Sequence, residues 1–384
     1  MTELLVEQRQ ELLLRELRAS GAVRVTELAA RFGVSAGTIR RDLAELAELG
    51  RLTKVRGGAI PVPAPAAEGP DRTIGLLVPS ATYYYPSVLA GVRAVAARRG
   101  ARVVIALADY GSSRDLAQLD ELRASGADGL LVATAGGHYL PTETLTALRA
   151  TGRPFVLLER QPEDPYSRCE FVVSDHRQGA YRAVCHLRDL GHRRVALYLA
   201  DSPTAPLVRE GHAAAVQRLE LDPTAPVLDA GRPALGSPET GRRYDAFIDH
   251  CLDTGTRAAL VHSDHDAIEL LQRLRARALR TPEDLALIAY DDEIAALAEV
   301  PLTAVAPPKR RLGEQAAHLL LDRLAGEGPL PQRQVLLQPE LTVRRSCGRA
   351  HRERPARSGD ETAPGACSPS GGSEQHGRDD VVVG

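Results

Sequence analysis

Two sets of residues in this 384-residue chain have the right chemistry and placement to bind something. The first lies between residues 31 and 60: Arg31, Arg40, Arg41, Arg51, Lys54 and Arg56, against only Asp42, Glu45 and Glu48. Planar guanidinium forks suit phosphates and the acceptor edges of bases. The second set stands at the ends of short apolar runs. Tyr83, Tyr84 and Tyr85 follow TIGLLVP, Asp109 follows RVVIALA, and Glu159 and Arg160 close PFVLLER. Asp264 follows AALVHS, and Asp291 sits in AYDDE. Carboxylates and arginines make charge-assisted bonds to hydroxyls, and a tyrosine ring can cover the apolar face of a polyhydroxylated molecule. The motifs of catalysis are absent: no G-x-S-x-G, no P-loop, no H-E-x-x-H. The five cysteines are scattered without a CxxC pair, and the histidines lack metal-ligand spacing. Neither a catalytic residue, a metal nor a cofactor is expected.

These residues need elements to hold them. The chain is close to neutral, with 48 Lys+Arg and 50 Asp+Glu, and 43% of it is hydrophobic, enough for a sizeable core. Nearly all the positive charge is arginine, because Lys54 and Lys309 are the only lysines. No apolar run of about 18 residues occurs, and MTELLVEQRQELLLREL is too charged for a secretory signal. The expectation is a cytoplasmic protein without a membrane segment.

Residues 1–60 contain three amphipathic helical stretches. Val6, Leu13, Leu14 and Leu17 line the first, TELAARF (26–32) the second with Thr26 as N-cap, and Ser35 caps a third with Ile39, Leu43 and Leu46 on one face. RLTKVRGGAI follows as a two-stranded wing. PVPAPAAEGPD (61–71) has four prolines in eleven residues and reads as an extended linker. From 72 to 346, continuous apolar strands alternate with helical stretches, which implies parallel sheets covered on both faces. There are too many strands for one ordinary sheet, so two doubly wound, Rossmann-like subdomains are expected, with ligand groups at the strands' carboxyl ends. Residues 347–384 lack apolar periodicity and are expected to be a disordered tail.

FGVSAGTIRRDLAELAELGRLTKVRGGAI closely resembles the DeoR-type winged helix-turn-helix, with its V-S-x-x-T-I-R-R-D-L run and G-G-A end. The resemblance covers about 57 residues. It implies a recognition helix with Ser35, Gly37, Thr38, Arg40 and Arg41 near DNA, and wing contacts from Arg51, Lys54 and Arg56. Gly37 stands where the family usually has a larger residue. Asp42 is expected to brace a neighbouring arginine or helix.

The stretch 72–346 resembles a second family, the effector domain of LacI/GalR regulators, which is itself similar to periplasmic sugar-binding proteins. The resemblance rests on ADGLLVA, RPFVLLER, VSDHRQGAYRAVCHLRDLGHRRVALYLA, SDHDAIELLQRLRARALRTPEDLALIAYDDE and PLTAVAPPKRRLGEQAAHLLLDRL. It implies a periplasmic-binding-protein-like α/β fold in two subdomains, 72–175 with 304–333 and 176–303 with 334–346. An effector cleft between them is implied, lined by Tyr83, Tyr84, Tyr85, Asp109, Glu159, Arg160, Asp264 and Asp291. Three departures stand out. The family's ligand-clamping arginine position holds Val208; Arg209, one residue later, is the candidate clamp if the register shifts locally, and otherwise the clamp is missing. The Asn before the crossover Asp is Ser263, and the Asp before Arg160 is Glu159. The family's hinge helix is replaced by the proline linker. The two resemblances together imply a ligand-responsive repressor that binds double-stranded operator DNA as a homodimer or tetramer. Its effector would be a small polar molecule such as a sugar. The alternative is a sugar-binding protein or sugar-phosphate enzyme without regulatory DNA binding.

Overall fold

The structure is a computed structural model and describes residues 6–20, 23–48, 51–55, 57–60, 72–107, 115–231, 236–326 and 330–348. Arg56, the linker 61–71, Asp109 and everything after Gly348 lie outside the described residues.

The head consists of α1 (Val6–Ser20), β1 (Val23–Arg24), α2 (Val25–Phe32), α3 (Ala36–Glu48), β2 (Thr53–Val55) and β3 (Gly58–Ile60). Apolar residues at helical spacing bring Leu13, Leu17, Leu28, Ile39, Leu43 and Leu46 into one core. The two strands expected over 51–60 form as β2 and β3, and β1 adds a third beside β3, in the order β1-β3-β2. One expectation is corrected here. Thr26 is not the cap of α2, because the helix starts at Val25 with extended Arg24 at the cap position and no side-chain cap. The start of α2 is set instead by pairing: Val25 N–H donates to the Gly57 carbonyl at 2.9 Å. Gly58 is obligatory for that pairing, since a Cβ there would lie 2.0 Å from the Val23 carbonyl oxygen.

The chain continues through β4 (Arg72–Val78), α4 (Tyr85–Arg98), β5 (Ala101–Leu107), α5 (Asp115–Ala124), β6 (Gly129–Val132), β7 (Tyr139–Leu140), α6 (Thr142–Ala150), β8 (Phe155–Leu158), β9 (Gln161–Pro162) and β10 (Phe171–Ser174). Then come α7 (His176–Asp189), β11 (Ala196–Leu199), α8 (Ala205–Arg218), β12 (Val227–Asp229), α9 (Pro238–Asp253), β13 (Ala258–His262), α10 (Asp264–Ala276), β14 (Ala286–Tyr290) and β15 (Thr303–Ala306). The last elements are α11 (Lys309–Ala325), β16 (Gln334–Leu337) and β17 (Glu340–Thr342).

Two compact units result. The first comprises Met1–Asp175 with Pro307–Gln338, the second His176–Ala306 with Pro339–Gly384. The first unit's sheet runs β16-β10-β8-β6-β4-β5, all parallel. Its strands are buried on both faces, by one cluster around Val88, Leu131 and Leu320 and another around Leu122, Leu148 and Leu157. The second unit's sheet runs β12-β11-β13-β14-β15-β17, parallel except for β17. Clusters around Tyr244, Phe247 and Leu287, and around Val184, Leu197 and Ile288, cover its faces.

The later crossovers differ from expectation. Residues 304–306 belong to the second unit because β15 pairs with β14, and 334–338 to the first because β16 pairs with β10. The folded chain also extends past Ser346: Cys347 is buried in the second unit's core, so the tail expected from 347 cannot start there. Among the described residues, no helix is long and apolar enough to cross a membrane, and no group of metal-ligating side chains could hold an ion.

Candidate nucleic-acid and effector sites

Helix α3 is built to present one polar stripe. Ser35 caps it, its Oγ accepting from Thr38 N–H at 3.1 Å and lying 2.9 Å from the Thr38 hydroxyl. Ile39, Leu43 and Leu46 face the head's core. Gly37, Arg40 and Arg41, three and four residues apart, are exposed on the opposite side. Asp42 is spent inward, taking the Arg9 guanidinium of α1 in a fork at 2.6 and 3.0 Å. Arg31 pairs with Glu16. Arg40, Arg41, Arg51 and Lys54 form no ion pair among the described residues and are all exposed. A capped helix of this length with free guanidiniums near its start suits the major groove, and wing cations suit the phosphates beside it.

In the first unit, the candidate groups gather where β4 and β8 end. Glu159 has φ 51 and Tyr83 φ 60, left-handed backbone that non-glycine residues rarely adopt. The Glu159 carboxylate is buried and accepts from the Ser174 N–H at 2.9 Å, the Ser174 hydroxyl at 2.7 Å and the Tyr84 hydroxyl. Lys309 lies over the Tyr84 ring, 5.1 Å from its centre. Two expected effector contacts are corrected. Tyr85 is packed in the unit's core at 4% exposure. Arg160 is 1% exposed, and its guanidinium donates to the carbonyls of Thr134, at 3.1 and 2.6 Å, and of Glu159, at 2.9 Å. It therefore braces the ends of β6 and β8.

In the second unit, Asp291 follows β14 with φ 99 and Asp292 has φ 56. Asp292 is held in a fork by Arg344 at 2.6 and 3.2 Å. Asp264 is fully buried, and its carboxylate accepts the backbone N–H groups of Asp292, Glu293 and Ile294 at 3.3, 2.7 and 3.0 Å. Its expected contact with effector is replaced by bracing of the loop that carries Asp291. Burial pushes its carboxyl up to about 6, with the charge of Asp291 acting in the same direction. Val208 is in the core, and Arg209 pairs with Asp229 at 2.7 Å, on the partly exposed side of α8.

One group at this edge escaped the sequence reading. His262 ends β13, hidden inside an apolar run, and its Nε2 lies 3.0 Å from the Thr204 hydroxyl. Its ring packs 5.5 Å from Tyr290. Burial pushes its pKa below the ordinary histidine range, against the pull of Asp291 and Asp266. Only the abrupt change from AALV to a histidine before Ser263 could have drawn attention to it.

Comparison with known proteins covers both halves. Residues 9–62 match the family described as the DeoR-like helix-turn-helix domain, and 184–347 match the periplasmic binding protein-like domain. The chain is 30% identical over 282 residues to the ribose operon repressor of Escherichia coli K12, covering 72% of this chain and 82% of that one. It is 27% identical over 336 residues to the arabinose metabolism transcriptional repressor of Geobacillus stearothermophilus, covering 83% and 89%. Among solved structures, the transcriptional regulator CelR–cellobiose complex aligns with TM-score 0.61 and 25% identity, over 84% of this chain and 99% of that one. A LacI family transcriptional regulator from Enterococcus faecium with bound ribose aligns with TM-score 0.58 and 25% identity, over 72% and 98%.

Proposed function

Since the chain belongs to the LacI family of transcriptional regulators, with a DeoR-like DNA-binding head in front, we propose that it is an effector-responsive transcriptional repressor acting in the cytoplasm. Ser35, Gly37, Thr38, Arg40 and Arg41 face operator base pairs, and Arg51, Lys54 and Arg56 reach the phosphates. The protein works as a homodimer on an operator with two related half-sites, as two-fold proteins do. The observation that carries this reading is α3: a capped helix with a buried apolar face and unpaired Arg40 and Arg41 on the other.

The effector is a small polyhydroxylated molecule, and pentoses are the first class to try, given relatives named for ribose and arabinose. Tyr83, Glu159 and Asp291 are its candidate partners. Among the described residues, three of the six non-glycine residues with left-handed backbone are these candidates, at strand ends where such strain marks binding sites. With a proline-rich stretch at 61–71 where the family has its hinge helix, the effector acts by changing the spacing of two heads in a dimer, not by folding a segment onto DNA.

The test uses the full chain. Selection from random DNA should enrich one motif with repeated half-sites, and its affinity should fall steeply with salt, by a log–log slope of about −0.9 per phosphate contacted. Sugars that change that affinity should also raise the melting temperature. A ligand at 100 times its dissociation constant stabilises by about 2.7 kcal/mol. Binding to all DNA alike would defeat the repressor reading. Sequence-specific binding with no response to any sugar would defeat only its sugar-sensing half.

A further inference from the structure

We propose that the first unit carries a second ligand site, for a phosphate group, at the amino edge of its sheet. The observation is a cavity of about 270 Å3 with Arg149, Arg153, Arg168 and Arg323 in its wall and a single carboxylate, Glu170. It opens where β8 and β10 begin, at the edge opposite Tyr83 and Glu159.

Two of the four arginines have structural employment. Arg323 is in the last turn of α11, pairs with Glu170 at 2.8 Å and donates to the carbonyls of Leu330 and Pro331. Arg149 is in the last turn of α6 and donates to the Arg168 carbonyl at 3.0 Å. Cations at helix carboxyl ends offset the helix dipole, so neither needs a ligand. Arg153 and Arg168 have no such account. They stand on loops, exposed, and neither guanidinium pairs with a carboxylate among the described residues.

The local negative charge is already cancelled. Glu170 is 5% exposed, pairs with Arg323 and accepts the Arg333 N–H at 3.1 Å. Cys169 in the same wall stays a neutral thiol, because burial pushes its pKa up to about 12. The wall therefore gathers four guanidinium groups against one carboxylate, which Arg323 already engages. Guanidinium forks match phosphate oxygens in geometry and charge. The volume lies just under the roughly 300–1,000 Å3 of small-molecule sites. That fits inorganic phosphate, pyrophosphate or a small phosphate ester.

The experiment is calorimetric titration of the full chain with inorganic phosphate, pyrophosphate and a hexose phosphate at constant ionic strength. It is run on the natural protein and on Arg153→Gln/Arg168→Gln. Both side chains are exposed, so the variant should melt like the natural protein. Saturable binding of at least one probe is expected, weakened about tenfold or more in the variant through loss of two charge-assisted contacts. A tighter ester than pyrophosphate would assign the site to a phosphorylated metabolite, and the reverse order to the free ion. The response to unphosphorylated sugars should be the same in both proteins, which separates this site from the effector site. Absence of saturable binding up to about 10 mM, or equal affinity in the variant, would overturn the proposal.

Discussion

Asp42→Ala should unfasten the DNA-binding head while leaving both sheet units intact. Asp42 and Arg9 form a two-bond fork at 2.6 and 3.0 Å, with side chains only 3% and 8% exposed. Removing one partner of such a buried pair costs about 3–5 kcal/mol, because the remaining charge keeps its burial and loses its counter-ion. A head of this size has a total stability of roughly 3–8 kcal/mol at 0.05–0.15 kcal/mol per residue. The loss therefore takes most of it. Hydrogen exchange on α1 and α3 peptides should speed up by about a hundredfold to several thousandfold, and operator binding should weaken with it. Peptides from β6, β8, β13 and β14 should exchange as before. The double variant Arg9→Met/Asp42→Leu should restore both protection and binding, since an apolar pair of similar volume replaces a buried ion pair at little cost. Unchanged exchange in α1 and α3 of Asp42→Ala would refute the claim that this pair holds the recognition helix in place.

Three further outcomes are expected. Arg41→Ala should lose about 1–3 kcal/mol of operator affinity in an anisotropy titration, with unaltered melting; an equal loss on all DNA sequences would reassign Arg41 to a phosphate. Gly37→Ala should raise the head's stability by about 0.5–1 kcal/mol, because an added Cβ meets only the Ser35 Oγ, at 3.5 Å; a lower melting temperature would show hidden strain there. Burial holds the Asp264 carboxyl near about 6 instead of 3.8, so the fold binds that proton more tightly than the unfolded chain. Its contribution should fall by about 3 kcal/mol as pH rises from about 4 to about 6 and then level off. Asp264→Asn adds a constant cost without this slope, so the difference between the two denaturation series isolates it. The opposite linkage of neutral His262, whose contribution is lost as pH falls below the ordinary histidine range, is common to both and cancels. A pH-independent difference would contradict the raised pKa.

Recognition helix α3 could be read directly, because its signals are local: a capping serine, apolar residues at helical spacing and arginines between them. β1 could not, since Val23 and Arg24 become a strand only by pairing with β3, far along the chain. The partner of Asp42 was hidden for the same reason, being 33 residues away. The later crossovers were misplaced because β15 and β16 are four-residue strands whose allegiance depends on which neighbour they pair with. At the strand ends, charge and position drew attention to Glu159 and Asp291, both of which have left-handed backbone. Charge alone could not show that Arg160 and Asp264 are consumed by backbone groups, because that depends on where carbonyls and N–H groups of other segments lie.

The order in which the chain visits its two units also governs how it can be made. The first unit lacks α11 and β16 until residues 307–338 have been synthesised. Until then the β10 edge is unpaired, and Leu312, Ala316 and Leu320 are missing from the core beneath it. From the completion of β10 until β16 emerges, a nascent chain therefore exposes an open parallel edge and an apolar face, the state most prone to aggregation. The second unit is likewise incomplete until β17 closes on β15. Neither sheet unit can be cut out as a continuous fragment, and a chain stopped before β16 should accumulate in inclusion bodies instead of leaving one functional half.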